Sequence, residues 1–294
     1  MGKAWYERAP EARRVFDEAD RILGDRLGSP ISRLCLEGPS ERLNQTDASQ
    51  PAIFVTSVAS WKGLIAKWGF GNGEASIVAS AGLSLGEYTA LHLAGAIDFS
   101  EALELVVLRG RAMQDAAVAS PGGMVALIGA DEPQAHAICD RARGADVLVC
   151  ANFNAPGQIV LSGSRVACDR AAVVAGEMGL RATQLTVAGA FHSPLMQPAA
   201  DRLASALART SIRSPRCTVV SNVTSLPHEP NPDSIRRRLV EQLMQPVRWS
   251  QSCSWIGQNV RGEIHELAPG KTLAGLMRRI DKNLKVMTHD EPEA

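Results

Sequence analysis

The chain has 294 residues, with 31 Lys and Arg against 31 Asp and Glu, so its formal net charge is zero. An apolar content of 45% without net charge excludes a disordered chain. It also excludes a general nucleic-acid binder, because contacts to phosphates need a surplus of Lys and Arg.

Neither a membrane span nor a secretory signal is predicted. The longest apolar stretch, residues 51–69, is interrupted by Lys62 and Lys67, and the first residues contain no apolar signal core. The six cysteines form no CxxC pair, and Cys and His are nowhere spaced as metal ligands. We therefore expect a cytoplasmic protein with free thiols and without a bound metal ion.

The first part of the chain is predicted to be largely helical. Apolar residues at helical spacing predict helices at 5–27, 49–67 and 101–118. Residues 76–81 are small or β-branched and predict a buried strand, which leads through a glycine-rich turn into a helix at 87–94. Strand, turn and helix thus form one continuous unit.

The middle of the chain has a different order of elements. We predict β-α-β-β-α-β, with the elements at 124–129, 132–143, 147–152, 158–162, 166–178 and 182–187. This is the order of a ferredoxin-like, or split-βαβ, unit. We therefore expect a small subdomain at 122–187, inserted into a larger α/β domain formed by 1–121 and 188–294.

The last part of the chain is predicted to complete the larger domain. We expect helices at 193–209, 234–244 and 270–280, and strands at 217–223 and 263–267. The polar residues from position 288 onward are predicted to fray.

The sharpest motif is Gly82-Leu83-Ser84-Leu85-Gly86, between the predicted strand and helix. In this position a G-x-S-x-G sequence is the nucleophile-elbow pattern. The tight turn raises the serine hydroxyl above the sheet, and N–H groups at the start of the helix can stabilise an oxyanion. The alternative is a glycine-rich turn with an incidental serine, so the prediction depends on the strand–turn–helix context.

A serine nucleophile needs a general base, and six histidines are available. His92 lies two turns along the same helix, roughly 12 Å from Ser84 by helical rise, and is out of reach. His192 lies in a loop at the junction of the two predicted domains, where a site is expected. We predict His192 as the base; the alternative is a histidine that caps or packs against the following helix.

Several stretches of the chain occur together in one known family. They are residues 50–53, 82–88, 108–114, 152–158, 189–196, 242–249 and 266–271. On these stretches, which keep the family's order, the chain resembles malonyl-CoA:acyl-carrier-protein transacylases and the acyltransferase domains of fatty-acid and polyketide synthases. The resemblance implies an α/β-hydrolase-like core with a ferredoxin-like insert, which agrees with the predicted order of elements.

The resemblance also implies a role for each site residue. Ser84 would accept the acyl group, and His192 would act as base and then as acid, oriented by a carbonyl or amide near Gln242. The backbone N–H of Leu85 would be one oxyanion donor. Arg109 would bind the malonyl carboxylate, because its planar fork pairs with a carboxylate and stays charged.

The implied reaction is a ping-pong transfer. Malonyl would pass from coenzyme A to Ser84, and then to the phosphopantetheine thiol of acyl carrier protein, for fatty-acid or polyketide synthesis. Coenzyme A thioester is the substrate, no bound cofactor is implied, and a monomer is expected. Two alternatives are a serine hydrolase or thioesterase, against which Arg109 argues, and a non-catalytic or weakly active relative that only binds carrier protein.

Two features differ from the family pattern, and one resembles a subgroup of the family. Leu83 occupies the position of the family's usual His, so we expect weaker substrate orientation but an intact dyad. The family's first strand and its Gly-Gln-Gly loop, which supplies a second oxyanion donor, have no counterpart here; we expect them to be encoded upstream of Met1. Phe191 before His192 resembles malonyl-selective members, and would narrow the pocket where an α-methyl group would lie.

Acyl carrier protein is generally acidic, so the resemblance implies a basic docking surface. The candidates are residues 236–238, and Lys271 with Arg278 and Arg279. For each of these taken singly, a solvated helix face is the alternative.

Overall fold

The computed structural model describes residues 1–69 and 77–293, which form a mixed α/β structure. The helices are α1 (Lys3–Arg8), α2 (Pro10–Leu23), α3 (Ile31–Glu37), α4 (Ser40–Leu43), α5 (Thr46–Lys67), α6 (Gly86–Leu93), α7 (Phe99–Ala119), α8 (Glu132–Arg143), α9 (Arg165–Glu177), α10 (Gln197–Leu207), α11 (Pro232–Glu241), α12 (Trp249–Asn259) and α13 (Thr272–Ile280). The strands are β1 (Ala79–Ser80), β2 (Gly122–Ile128), β3 (Leu148–Ala155), β4 (Gln158–Ser164), β5 (Arg181–Gln184), β6 (Thr218–Val219), β7 (Ile264–Leu267) and β8 (Val286–His289). The predicted α/β class is confirmed.

Four strands in the middle of the chain form an antiparallel sheet in the order β3-β4-β2-β5. Successive side chains of a strand point to opposite faces. Val125 and Leu127 of β2 pack with Ile138 in a cluster formed with α8 and α9. Met124 belongs to the other face, where Phe191 packs against it. This second face therefore adjoins the segment that carries His192.

A long buried helix, α5, lies in the core of the rest of the chain. It is apolar around much of its circumference and packs against α2 and α7. Gly110 lies where α7 approaches the start of α5, and a Cβ atom there would lie 2.9 Å from the carbonyl oxygen of Thr46. The glycine therefore permits the close approach that brings its neighbour Arg109 to Gln50 on α5.

Two short parallel strand pairs complete the sheets among the described residues: β1 pairs with β6, and β7 pairs with β8. β1 ends just before the turn that contains Ser84, so its pairing with β6 fixes the position of that turn. In the described part of the chain, no helix combines the length and the apolarity needed to span a membrane.

Several predicted elements differ from the structure at their ends. The helix predicted at 5–27 is two helices, because Pro10 disfavours the helical conformation at Ala9, which is extended there. The helix predicted at 193–209 begins as a 3₁₀ turn, Pro194–Met196. The predicted strand at 76–81 is described only from residue 77, and it is hydrogen-bonded as a strand at Ala79–Ser80; Ser76 lies outside the described residues.

Three helices were not predicted, namely α3, α4 and α12. The first two are short, so they span too few turns for a helical period to be recognised. The C-terminal residues also differ from the prediction of frayed ends. Thr288 and His289 belong to β8 instead. His289 is buried, and its carbonyl oxygen lies 2.9 Å from Nε1 of Trp5.

Candidate active site

Ser84 lies at the tip of the turn between β1 and α6. Its backbone φ is 52°, in the left-handed region that residues other than glycine rarely adopt. Gly82 makes the turn possible, because a Cβ atom there would lie 2.0 Å from the carbonyl carbon of Gly86. A Cβ atom at Gly86 would meet no other group within 4 Å. The first glycine of the motif is therefore sterically required, and the second is not.

Asn222, which follows β6, holds the turn from the other side. Its Oδ1 accepts a hydrogen bond from the backbone N–H of Ser84 at 2.6 Å. Its Nδ2 donates to the carbonyl oxygen of Gly82 at 2.8 Å. One side chain thus fixes the start and the tip of the turn, and the β1–β6 pairing brings it there.

The structure brings Ser84 and His192 together, although 108 positions separate them. The Ser84 hydroxyl lies 2.9 Å from Nε2 of His192, and the main-chain carbonyl of Gln242 lies 2.7 Å from Nδ1. A carbonyl oxygen only accepts hydrogen bonds, so Nδ1 carries the hydrogen and Nε2 is free to accept the serine proton. The geometry is that of a nucleophile and its base, with a carbonyl as the orienting group.

His192 is a buried side chain whose environment favours the neutral imidazole. Burial, followed by the positive charge of Arg109, lowers the pKa of His192 from its ordinary 6.5 to about 4. Its neighbour Phe191 packs between the large core and the second face of the four-stranded sheet. The base is therefore held at the junction of the two predicted domains.

Arg109 is a buried cation beside the nucleophile, and it is 1% exposed. Its Nη2 donates to the Ser84 hydroxyl oxygen at 2.9 Å and to Oε1 of Gln242 at 3.0 Å. Its Nη1 donates to Oε1 of Gln50 at 2.5 Å, and its Nε has no acceptor among the described residues. The Tyr88 ring lies 5.6 Å from the guanidinium carbon. A positive charge with spare donors thus points at the reacting hydroxyl.

Leu85 and Leu83 flank the nucleophile on either side. Leu85 precedes the first residue of α6, and its backbone N–H has no acceptor among the described residues. It is thus available to an incoming oxyanion at a helix N-terminus. Leu83 is partly buried and packs against a cluster that contains Leu276 and Met277 of α13.

Sequence reasoning missed four polar residues that support this site: Gln50, Glu87, Asn222 and His228. Gln50 and Glu87 lay within the family-like stretches, but neither was assigned a role there. His228 was predicted in a proline-rich loop, yet its side chain is fully buried and its Nε2 lies 2.6 Å from a carboxylate oxygen of Glu87. The sequence carries no local signal for these contacts, because each joins residues more than 50 positions apart.

The arrangement can perform nucleophilic acyl transfer. A serine hydroxyl bonded to a neutral imidazole can attack a carbonyl carbon, and a free N–H at a helix start can stabilise the resulting oxyanion. The adjacent arginine suits an acyl group that carries a negative charge. Within residues 1–69 and 77–293, no three His, Cys, Asp or Glu side chains are grouped so as to hold a metal ion.

Comparison with known proteins agrees with this chemistry. The model of the acyl transferase domain family matches residues 1–276. The malonyl CoA-acyl carrier protein transacylase of Escherichia coli K12 is 39% identical over 286 residues, which are 97% of this chain and 89% of that protein.

Solved structures give the same result. An acyl carrier protein S-malonyltransferase from Vibrio cholerae superposes with a TM-score of 0.91 at 37% identity, covering 99% of this chain and 92% of that one. A malonyl-transacylase solved in complex with its type II PKS acyl-carrier protein has a TM-score of 0.91 at 36% identity, with the same coverage of both chains.

Proposed function

Because the chain belongs to the acyl transferase family, we propose that it transfers malonyl from malonyl-CoA to the phosphopantetheine thiol of acyl carrier protein. The observation that carries this proposal is the Arg109 guanidinium, held 2.9 Å from the Ser84 hydroxyl oxygen. A cation in this position serves an acyl group with a free carboxylate, and a hydrolase of neutral esters has no use for it. The product would feed fatty-acid or polyketide synthesis.

The first half-reaction forms an ester on Ser84. Nε2 of His192 takes the hydroxyl proton while the serine oxygen attacks the thioester carbonyl carbon. The oxyanion of the tetrahedral intermediate accepts a hydrogen bond from the N–H of Leu85. The intermediate collapses, the carbon–sulfur bond breaks, and the imidazolium gives the serine proton to the departing coenzyme A thiolate, which becomes the thiol.

In the second half-reaction the phosphopantetheine thiol is the nucleophile and the Ser84 oxygen is the leaving group. His192 takes the proton of the phosphopantetheine thiol, and the thiolate attacks the malonyl ester. The Ser84 oxygen leaves and recovers the proton from His192. The Gln242 carbonyl keeps Nδ1 of His192 protonated throughout. Nε2 therefore serves as the base and as the acid in both half-reactions.

Two apolar side chains shape the acyl pocket in this proposal. Phe191 would narrow the space beside the α-carbon of malonyl and disfavour an α-methyl group. Leu83 offers no hydrogen bond where the family usually has an imidazole, so substrate orientation would depend more heavily on Arg109. Their packing against the core supports fixed positions for both.

The finer architecture is part of the same proposal. We assign residues 1–121 and 188–294 to an α/β-hydrolase-like core and residues 122–187 to a ferredoxin-like subdomain. Two observations support the second assignment. The elements follow in the order β2, α8, β3, β4, α9 and β5, and the four strands form one antiparallel sheet. The six free thiols support a reducing compartment such as the cytoplasm. A monomer without a bound cofactor is proposed from the family resemblance.

The test is intact-protein mass spectrometry after incubation with malonyl-CoA. The expected result is a single malonyl adduct on the wild-type chain, none on Ser84→Ala, and discharge of the adduct when holo acyl carrier protein is added. Arg109→Gln should slow labelling by malonyl-CoA more than labelling by acetyl-CoA. An adduct that is lost equally fast to water would support the hydrolase alternative, and a chain that binds carrier protein without labelling would support the non-catalytic one.

A further inference from the structure

Behind the reacting groups lies a buried acid for which the reaction above has no role. Glu87 lies in the first turn of α6, and its side chain is fully buried. One of its carboxylate oxygens lies 2.6 Å from Nε2 of His228. The other accepts hydrogen bonds from Nε2 of Gln242 at 2.6 Å and from the N–H of Asn222 at 3.3 Å. Three donors therefore hold the carboxylate in one orientation.

In the described part of the chain, His228 contacts this carboxylate through one ring nitrogen only. Nδ1 of His228 is buried and has no partner among the described residues. A hydrogen on that nitrogen would be a buried donor without an acceptor, which is unfavourable. The contact of His228 with Glu87 is therefore made through Nε2 alone among the described residues.

Arg109 is the nearby charge that lacks a direct partner. The acceptors that it meets in the described structure belong to Gln50, Ser84 and Gln242, all of them neutral. Burial lowers the pKa of Arg109, and interactions with Tyr88 and Glu87 oppose that shift. A buried cation is costly unless a negative charge lies near it, so the origin of its compensation matters.

The side-chain amide of Gln242 lies between the two charges. Its Nε2 donates to Glu87 and to the carbonyl oxygen of Ser84, and its Oε1 accepts from Arg109. A carboxylate only accepts hydrogen bonds, so Glu87 fixes the amide with its oxygen toward the guanidinium. A flipped amide would place an NH₂ group against the guanidinium, donor against donor. Hydrogen bonds in such a chain polarise one another.

From this geometry we infer, on the basis of the proposed malonyl transfer, that Glu87 is the counter-charge of Arg109 and acts through the Gln242 amide. Glu87 is thereby a positioning residue for selectivity toward acyl groups that bear a carboxylate. A direct ion pair with Arg109 would occupy the guanidinium fork, and a substrate would have to displace it. With an amide in between, the negative charge compensates the cation, and Nε and the Nη2 hydrogen that meets the Ser84 hydroxyl remain for a substrate carboxylate.

This arrangement affects charged and neutral acyl groups differently. When Ser84 becomes an ester, Arg109 loses the hydroxyl contact, and a malonyl carboxylate can replace it. An acetyl group has no carboxylate to do so. Misplacing the guanidinium therefore slows malonyl transfer more than acetyl transfer, whereas a general loss of packing slows both alike.

The decisive variant is Glu87→Gln, studied in the full chain. The rates of Ser84 acylation by malonyl-CoA and by acetyl-CoA are measured by intact-protein mass spectrometry. The malonyl-to-acetyl rate ratio should fall about tenfold, which is the size expected for coupling within one hydrogen-bonded network. The matched control is His228→Gln, which keeps a neutral donor beside Glu87 and should leave that ratio within about twofold of wild type.

A second variant covers the case in which Glu87→Gln does not fold. Gln242→Leu removes the bridging amide but keeps the main-chain carbonyl on His192, and it should lower the same ratio. Equal slowing of both substrates in the folded variants would overturn the inference and leave malonyl transfer standing. A wild-type chain that takes no label from malonyl-CoA would overturn both.

Discussion

Ser84 and His192 share a backbone property that is rare for their residue types. Both lie in the left-handed region, with φ of 52° and 57°. Such conformations cost free energy and persist where surrounding contacts hold them in place. For Ser84 these contacts come from Asn222, and for His192 from the carbonyl of Gln242. The two reacting side chains are therefore aligned before substrate binds.

The rate of Ser84 acylation should fall only at a pH well below the ordinary pKa of histidine. The base works when it is deprotonated, and the pKa of His192 is lowered to about 4 by burial and by Arg109. The rate constant for Ser84 acylation at low malonyl-CoA concentration should therefore stay level from pH 8 to below pH 6. It should fall as the pH drops through about 4.

Rapid-mixing assays at each pH, with the label read by mass spectrometry, would measure this profile. Enzyme held at the lowest pH and then returned to pH 7 should regain its full rate, which controls for acid unfolding. A half-maximal rate near pH 6.5 would contradict the proposed environment of His192.

At the scale of elements, local signals predicted some boundaries well and others poorly. α8 begins and ends where predicted, because Asp131 and Gln134 form a capping box and Gly144 follows its last turn. β8 has no such signal, and its strand conformation depends on pairing with β7. Boundaries set by caps can be read from a few residues, whereas those set by a distant partner cannot.

The elbow offers a matched pair of glycine variants. Gly82→Ala would place a Cβ atom 2.0 Å from the backbone of Gly86, so the turn must open. We expect this variant to lose roughly 1–3 kcal/mol of unfolding free energy and most of its Ser84 labelling. Gly86→Ala meets no group within 4 Å, and it should stay within about 0.5 kcal/mol of wild type.

Urea unfolding and malonyl labelling of both variants provide the test. Similar losses in the two proteins would mean that the motif is not a steric elbow of the kind described.

At the scale of the whole molecule, one candidate basic surface is paired with acidic residues of its own helix, and the other lies on a helix that packs near the site. Arg236 and Arg238 are bonded to Asp233 and Glu241 of the same helix, at 2.8 and 2.7 Å. Lys271, Arg278 and Arg279 lie at the start and in the last turn of α13, whose Leu276 and Met277 belong to the cluster that Leu83 packs against. The buried side of α13 thus packs in the same cluster as the residue next to the nucleophile, and we favour α13 for docking of an acidic carrier protein.

Charge reversal should separate the two half-reactions. We expect Lys271→Glu with Arg279→Glu to slow discharge of malonyl-Ser84 to carrier protein about tenfold at low salt, because complementary charge speeds association. Acylation by malonyl-CoA should keep its rate. Single-turnover discharge at two salt concentrations would measure the effect, with Arg236→Glu as the comparison; equal slowing of both half-reactions would argue against docking at α13.

The sequence by itself determined the family, which is confirmed, and the α/β class. It also predicted the elbow at Ser84 and the order of elements from β2 to β5, since helical and strand periods, caps and tight turns depend on neighbouring residues. Only the tertiary structure decided how Gln242 divides its groups between His192 and Arg109, and that Glu87 and His228 form a buried pair. These contacts join residues 50 to 141 positions apart, and they arise from the packing of α6, α7 and the segments after β6 and α11 around one point.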